Sequence, residues 1–486
     1  MNLVWFRNDL RLHDQPALHA ACHNGQAVLA LFIISPQQWQ QQYRSARQVD
    51  LLRRSLICLK QDLARLNIPL KILNIPLYAD IPIALTGFCQ QYQISQVYCN
   101  QEYEWNERLR DRACKLALDA QQIGMQRLHD QCLLPPKTVL NQSGEFYKVF
   151  TPFKNNWLNQ LNQAPPQQLP CPQPVAVQTT TSDTILSDNV PSELVGFAPL
   201  STEQQTAWPA DEAEAQRRLQ AFIQWRVSQY STLRNRPDKP DYTSQLSAYL
   251  ALGRLSNRQC YLAAQEVPTN EGIQTWISEL CWRDFYRHML IGFPRVSRGQ
   301  AFDVATDRRV AWSYDQVAFE RWCQGKTGIP LVDAAMRCLN ATGFMHNRLR
   351  MVVAMFLTKN LLIDWRWGER YFSQQLIDCD LASNNGGWQW SASTGNDAAP
   401  YFRVMNPSTQ GKTYDPDGIF IKQWLPELRQ LTTKQIHDLS VTAKVKGYCA
   451  PMVDLKASRV KAIEAFKQGV IPVHLINLTQ SSLALL

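Results

Sequence analysis

The spacing of apolar positions divides this chain into two differently built parts. Before residue 130, short apolar or β-branched runs at 3–6, 27–34, 70–75 and 96–99 alternate with helix-like stretches at 46–66 and 105–123. Strand, helix, strand repetition predicts a parallel sheet with helices on both faces, since a parallel crossover needs a covering helix. The expectation for residues 1–130 is therefore an α/β doubly wound domain. No GxGxxG turn follows the first run, so a Rossmann-type dinucleotide site is not expected there.

Between about 160 and 203 the pattern dissolves into Gln, Pro, Thr and Ser, a composition that neither propagates a helix nor buries much apolar area. A long connector is expected over 131–205. From Asp211 onward helical periodicity returns and strand signals almost vanish, which predicts an all-helical domain over 206–475.

Charge and cysteine usage narrow the class. The net charge of +9 is uneven: residues 1–200 carry 17 Lys/Arg against 15 Asp/Glu, and the remainder 33 against 26. A basic C-terminal part attracts phosphate, although a solvated basic surface accounts for the charge equally well on its own. The 13 cysteines are odd in number, scattered, and never spaced CxxC, so they read as reduced small hydrophobes. With only eight His, no metal site is expected. The opening MNLVWFRNDLRLHD lacks a basic stretch followed by an apolar run, and no 18-residue apolar segment occurs. The expectation is a cytoplasmic protein with no membrane association.

Candidate chemistry concentrates in the helical part, where 8 of the 15 Trp fall between Trp276 and Trp390. Core packing is the ordinary explanation for any one of them. Three segments, however, mix charge and aromatics at helical spacing. In WISELCWRDFYRH, Trp276, Glu279 and Arg283 share a face with Trp282 beside them, an arrangement expected to pair the acid with the base. Asn347, Arg350 and Met351 share a face in GFMHNRLRM, and IDCDLASNNGGWQW packs Asp378, Asp380 and Asn384 before Trp388 and Trp390. Buried acids and guanidiniums are costly unless paired with each other or with a polar ligand, and a ligand with a polar chain and a flat ring suits all three segments. The pair Gly386 and Gly387 suits close approach of backbone to such a ligand.

The segments TSQLSAYLALGRLS, WISELCWRDFYRH, GKTGIPLVDAAMRCLNATGFMHNRLRM and DCDLASNNGGWQWSASTGNDAAPYFRVMNP resemble the photolyase/cryptochrome flavoproteins, as do LVWFRNDLRLHD and YEWNERLRD. The resemblance spans nearly the whole chain except the connector, and its pattern is that of the members that split cyclobutane pyrimidine dimers and carry a folate antenna. It implies FAD in an all-helical C-terminal domain and a 5,10-methenyltetrahydrofolate antenna at the α/β domain. On matched positions, Tyr230, Thr243, Ser244, Gln245, Leu246, Ser247 and Trp276 would hold the phosphate and adenine side of FAD. Asp378, Cys379 and Asp380 would line the flavin, Arg350 would pair the acid near the ring, and Asn384 would sit at flavin N5. Asn106 and Glu107 match the antenna pair, with Arg298 where a lysine is usual.

The resemblance also implies damaged DNA as the partner of a monomer, with the dimer extruded from the duplex. Trp282 and Trp390 would stack on it, Glu279 would bond its polar edge, and Arg234, Arg283, Tyr286, Asn347, Arg348, Met351 and Gln410 would contact lesion or DNA. Trp388, Trp365 and Trp312 match an electron relay. Two positions depart from the pattern: Gln245 replaces a basic residue and Phe344 replaces a tryptophan. The rival reading is a cryptochrome signalling protein, against which stand Asn384 and the absence of a long tail after Trp424. Asn347 and Met351 occupy the positions where relatives that repair (6-4) photoproducts carry histidines.

Overall fold

In the computed structural model, residues 1–23, 25–175 and 185–467 are described, together with the backbone of Thr179–Thr180 and Asp183–Thr184. The expected helical domain to 475 thus runs beyond the described residues from 468 onward. The chain forms two compact units. One comprises Met1–Gly299, Cys338–Arg348 and Glu369–Gly386; the other comprises Gln300–Arg337, Leu349–Gly368 and the chain from Gly387.

The first unit contains the parallel sheet, with strands β1 (Asn2–Phe6), β2 (Val28–Ile34), β3 (Leu70–Asn74), β4 (Gln96–Asn100) and β5 (Gly124–Leu128) in the order β3-β2-β1-β4-β5. Leu3 of β1 lies opposite Leu29 and Val97, so the central strand is flanked by apolar neighbours on both sides. Every residue of β1 and β2 is buried, as strands covered on both faces require. Leu3, Trp5, Leu31 and Val97 share a core with Leu85 and Phe88 of helix Ile81–Gln91 and with Cys114 and Leu118 of helix Trp105–Asp119. On the opposite side of β1, the Asn2 amide donates to the Ala21 carbonyl of helix Pro16–Cys22 at 2.8 Å. This is the doubly wound fold. Its strand order reverses between β1 and β4, which places the crevice for ligands outside the carboxyl ends of those strands.

The same unit carries helical residues locked to the chain after β1. Gly253 has φ +64, and a Cβ there would stand 2.3 Å from the Asn8 carbonyl oxygen, so only glycine fits this approach. Arg11 and Arg258 both donate to Asp130, at 2.5 and 2.7 Å, while Arg258 also holds both oxygens of Asp14. Two guanidiniums against two carboxylates leave no net charge, the condition under which burying such a network is tolerable.

The segment 131–205 is not all connector. Helix Phe150–Gln163 lies inside it and buries Phe150, Phe153, Trp157 and Leu161, a stripe at helical spacing against Phe285 and His288. The polar composition that suggested a connector begins only near its end. Among the described residues, no helix is long and apolar enough to cross a membrane.

Candidate functional site

The longest helix, Glu271–Gly292, supplies the first part of the site and starts where the Asn270 side chain accepts from the Ile273 amide at 3.0 Å. Trp276 is buried against Phe222, ring centroids 5.2 Å apart. Glu279 and Arg283, one turn apart, do not pair as expected. Glu279 accepts instead from Arg234 at 2.5 Å, with both side chains partly exposed. Arg283, expected to contact DNA, turns inward instead, donating to the Leu250 carbonyl at 2.7 Å and reaching Asp380 at 3.4 Å. Arg287, one turn further, closes on the same Asp380 oxygen.

Two guanidiniums therefore share one carboxylate. Asp380 is held well below the ordinary carboxylate range: desolvation opposes this, but Arg287 and Arg283 outweigh it. Arg283 is pushed down to about 10, first by burial and then by its neighbour Arg287. Its buried Nε has no hydrogen-bond partner. An uncompensated cation with an unused donor fits a ligand that brings negative charge or acceptor oxygens, which the phosphates and ring carbonyls of FAD supply.

Asp380 also starts helix Leu381–Ala392, accepting from the Ser383 amide at 2.9 Å. Four residues on, Asn384 commits its Nδ2 hydrogens to the Glu369 carbonyl (3.0 Å) and the Ser373 hydroxyl (3.1 Å). Its Oδ1 is thereby left as an acceptor, the polarity needed to receive an N–H from a reduced flavin ring. Asp378 is buried. The Cys379 carbonyl takes a 2.6 Å bond from Gln48, and burial pushes its thiol up to about 12, which makes it inert. The glycine pair divides its work differently from expectation. A Cβ on Gly386 would collide with the Tyr286 ring at 2.2 Å, so this glycine serves ring packing, whereas Gly387 faces open space.

Tyr230 opens the short helix Tyr230–Leu233, with the Arg234 guanidinium 5.4 Å over its ring. Thr243 and Ser244 precede Gln245, which has φ +51 and folds its amide back onto the Pro240 carbonyl at 3.2 Å. A non-glycine residue in that conformation is strained, as residues at ligand sites often are. Leu246 is buried and Ser247 begins the helix Ser247–Ala251.

Of the expected DNA-contacting residues, Trp282 is half-buried, with one ring face stacked on Phe150 at 3.6 Å and the rings of Tyr286 and Phe285 at 5.5 and 5.7 Å. Arg348 donates to Asn235 at 2.9 Å, and Asn347 is exposed at the start of helix Asn347–Met355. These lie in the first unit, as does Tyr286. Arg350, Met351, Trp390 and Gln410 lie in the second, where the Gln410 Oε1 is buried without a partner.

The antenna candidates stand on helix Trp105–Asp119. Asn106 is exposed, while Glu107 is buried, takes a 2.8 Å bond from Gln42 on Oε1 and leaves Oε2 unpartnered. Desolvation, then the charge of Glu102, raises the Glu107 carboxyl. The Arg298 guanidinium lies 5.3 Å over Trp105, beside the same helix start. An orphaned carboxyl oxygen next to an exposed amide suits a donor-rich heterocycle edge such as a pterin.

In the second unit, Trp388 and Trp365 are buried and Trp312 is half-buried. A Cβ on Gly368 would lie 2.1 Å from the Trp388 ring, so that glycine seats Trp388 on the helix that begins at Trp365. Trp365 and Trp312 both donate their indole N–H to Asp307 Oδ1, at 3.1 and 3.2 Å. Sequence reasoning missed Asp307, Gly368 and Arg287. Only Arg287 had a signal, one turn after Arg283 on the same helix.

Residues 276–468 match the family model described as the FAD binding domain of DNA photolyase, and residues 2–173 match the one described as DNA photolyase. The class is thus a flavoprotein that couples a doubly wound α/β domain to a helical FAD-binding domain. The Deoxyribodipyrimidine photo-lyase of Vibrio cholerae is 43% identical over 475 residues, covering 96% of this chain and 99% of the relative. A class III photolyase structure from Agrobacterium tumefaciens superposes with TM-score 0.85 at 31% identity, covering 96% of this chain and 97% of that one. A cryptochrome structure from Synechocystis gives 0.82 at 31%, covering 96% and 99%. The chain belongs to the DNA photolyase family.

Proposed function

We propose that this chain is a deoxyribodipyrimidine photo-lyase that uses light to split cyclobutane pyrimidine dimers in DNA. The observation that carries this reading is the 43% identity to a relative of that name across 99% of the relative's length. When bound, reduced FAD would supply the light-driven one-electron chemistry that opening the cyclobutane ring requires.

The residues then have binding and positioning work and need no nucleophile or general base. Arg283, with its unused Nε and shared counter-ion, offers charge to the cofactor. With its Nδ2 committed to Glu369 and Ser373, Asn384 would leave Oδ1 to accept an N–H from the bound ring, which would favour the reduced state. Arg350 and Asp378 border the ring, while Tyr230, Trp276 and the 243–247 turn hold the nucleotide side. Extrusion of the target base is the general solution for photolyases. Trp282 and Trp390 offer rings to stack on the dimer, Glu279 bonds its edge, and Arg234, Asn347, Arg348, Met351, Tyr286 and Gln410 complete the contact. Trp388, Trp365 and Trp312 carry electrons between flavin and surface. A folate at Asn106 and Glu107 supplies additional light absorption. The protein acts as a cytoplasmic monomer, with its antenna domain at 1–130 and its FAD and DNA domain from 206.

The test starts from purified protein with chemically reduced flavin and dimer-containing DNA under near-ultraviolet light. Dimers should disappear in the light and persist in the dark. Binding of flavin with no dimer splitting in either condition would favour the signalling role of the cryptochrome relatives. Trp388→Phe should block photoreduction of oxidised flavin by an external thiol, yet repair at close to the parental rate once reduced beforehand.

A further inference from the structure

Asp307 stands on the short helix Val304–Arg309, held there by the Asp303 side chain, which accepts from the Thr306 amide at 3.0 Å. Its carboxylate is almost enclosed, with 13% of the side chain exposed. Oδ1 accepts from the indole nitrogens of Trp365 and Trp312, and Oδ2 from Arg366 Nη2 at 2.6 Å. One oxygen thus accepts from both indoles, and the Trp312 N–H is shared between that oxygen and the Asp307 backbone carbonyl, at 3.2 and 3.1 Å.

The charges around the two rings are unequal. The Arg366 guanidinium lies 4.5 Å over the face of Trp365, where a positive charge on that ring would be repelled. Trp312 meets Phe466 edge-on at 6.0 Å and is more open to water. Asp364 accepts from Arg366 and from the Tyr314 hydroxyl, so its charge is spent on those groups. Lys359 packs its Nζ 3.4 Å from Phe466, and burial pushes its ammonium down to about 7, so it bears only part of a charge at neutral pH.

We propose that Asp307 is a positioning residue and proton acceptor for the outer end of the tryptophan series, acting on Trp312. The inference rests on the relay reading of Trp388, Trp365 and Trp312. When Trp365 has given up an electron toward the oxidised flavin, one electron passes from the Trp312 indole to Trp365, which becomes neutral again. The Arg366 guanidinium over the Trp365 ring, its charge shared with Asp307 and Asp364, favours this outward step. Oxidation turns the Trp312 N–H into an acid. Its Nε1–H bond breaks, the electron pair stays on nitrogen, and the proton forms an O–H bond on Asp307 Oδ1. The products are a neutral tryptophanyl radical and a neutral carboxylic acid, with no charge left to draw the electron back. An external thiol later supplies an electron to the radical while Asp307 returns the proton.

The experiment is flash spectroscopy of the FAD-loaded, oxidised protein, following protonated and deprotonated tryptophanyl radicals by their separate absorption bands in H2O and D2O. Asp307→Asn keeps an acceptor oxygen but not its basicity. Deprotonation should slow by about a hundredfold, the loss typical of removing a positioned base, with a matching rise in charge recombination. Asp307→Glu should recover much of the rate. Arg366→Gln, which leaves Asp307 in place, should lower the yield of the Trp312 radical; this arm stands if Asp307→Asn fails to retain FAD. Nitrogen-15 NMR of the indole N–H groups in the dark should show Trp312 and Trp365 shifting together in Asp307→Asn. If Trp388→Phe abolishes photoreduction while Asp307→Asn and Arg366→Gln leave radical yield and deprotonation within twofold of the parent, the relay stands and the role of Asp307 is overturned. If Trp388→Phe photoreduces normally, the relay reading falls and this inference with it.

Discussion

Two groups of carboxylates in the first unit share a solvent-poor setting and differ in their neighbours. Around the start of helix Trp105–Asp119, Glu102, Glu104 and Glu107 crowd together; Arg110 reaches Glu102 at 2.7 Å, and Glu104 keeps only the Tyr103 amide at 3.0 Å. Desolvation, then the charges of Glu107 and Glu102, push Glu104 up to about 8. Asp380 meets the same desolvation but has Arg287 and Arg283 against it, and it stays ionised far into acid. Counter-ion supply rather than depth of burial decides which acid is charged. The first group can accept a neutral, donor-rich ligand, and the second belongs to a cationic cluster that calls for an anionic one.

The largest effect expected from breaking this contrast is at Asp380. Asp380→Asn leaves two buried guanidiniums without their shared charge, so stability should fall by about 3–5 kcal/mol. FAD should be lost on gel filtration. Because the folded carboxyl is depressed, its contribution is present above the unfolded carboxylate range and is lost as pH falls through the folded value. The gap between parent and variant in denaturant melts should therefore be full at neutral pH and close only as the pH falls into strong acid. A variant as stable as the parent at neutral pH would mean that Arg283 and Arg287 do not depend on Asp380.

A smaller effect of opposite sign is expected at Glu104. A carboxyl raised in the fold keeps its proton between the unfolded value and about 8, while the unfolded chain has lost it. Folding is therefore opposed increasingly as pH rises through that window, by at most about 1.4 kcal/mol per pH unit. Glu104→Gln mimics the protonated form. Its stability should match the parent near pH 5 and exceed it by on the order of 1–2 kcal/mol at pH 8. Parallel melting curves across that range would show that the three glutamates do not press on one another.

The sequence made the sheet readable because parallel strands announce themselves as apolar runs, and 3–6, 27–34, 70–75 and 96–99 all lie on observed strands. β5 was not anticipated: an edge strand with a single buried residue, it lacks that signature. Helix Phe150–Gln163 was absorbed into a connector because composition, not periodicity, drew the boundary. At the site, residue types were legible and partners were not. Helical spacing put Glu279 beside Arg283, but the pairs that form, Arg234 with Glu279 and Asp380 with Arg283 and Arg287, join segments 45 and more than 90 residues apart. Asp307 is likewise defined by Trp365, 58 residues on, which no local pattern reports.

The smallest effect on stability, and the one that most sharpens the contrast between buried and open charge, concerns Arg234 and Glu279. Their side chains are 23% and 32% exposed, so water screens the pair and its coupling should be only about 0.2–1 kcal/mol. Its consequence for DNA is larger than for folding. While Glu279 holds Arg234 at 2.5 Å, the guanidinium is partly neutralised and is a poor phosphate ligand. Glu279→Gln keeps the shape but releases that charge, so affinity for undamaged duplex should rise a few-fold and its salt dependence should steepen by about one phosphate contact. On dimer-containing DNA the freed Arg234 should still gain phosphate contact, but the lesion would lose the carboxylate proposed to bond its edge, so affinity should stay level or fall. Discrimination then narrows from both sides. Arg234→Ala should instead flatten the salt slope on both substrates. Binding isotherms at several salt concentrations separate the two variants. Equal shifts on damaged and undamaged strands for Glu279→Gln would mean that Glu279 only tethers Arg234 and makes no contact with the lesion.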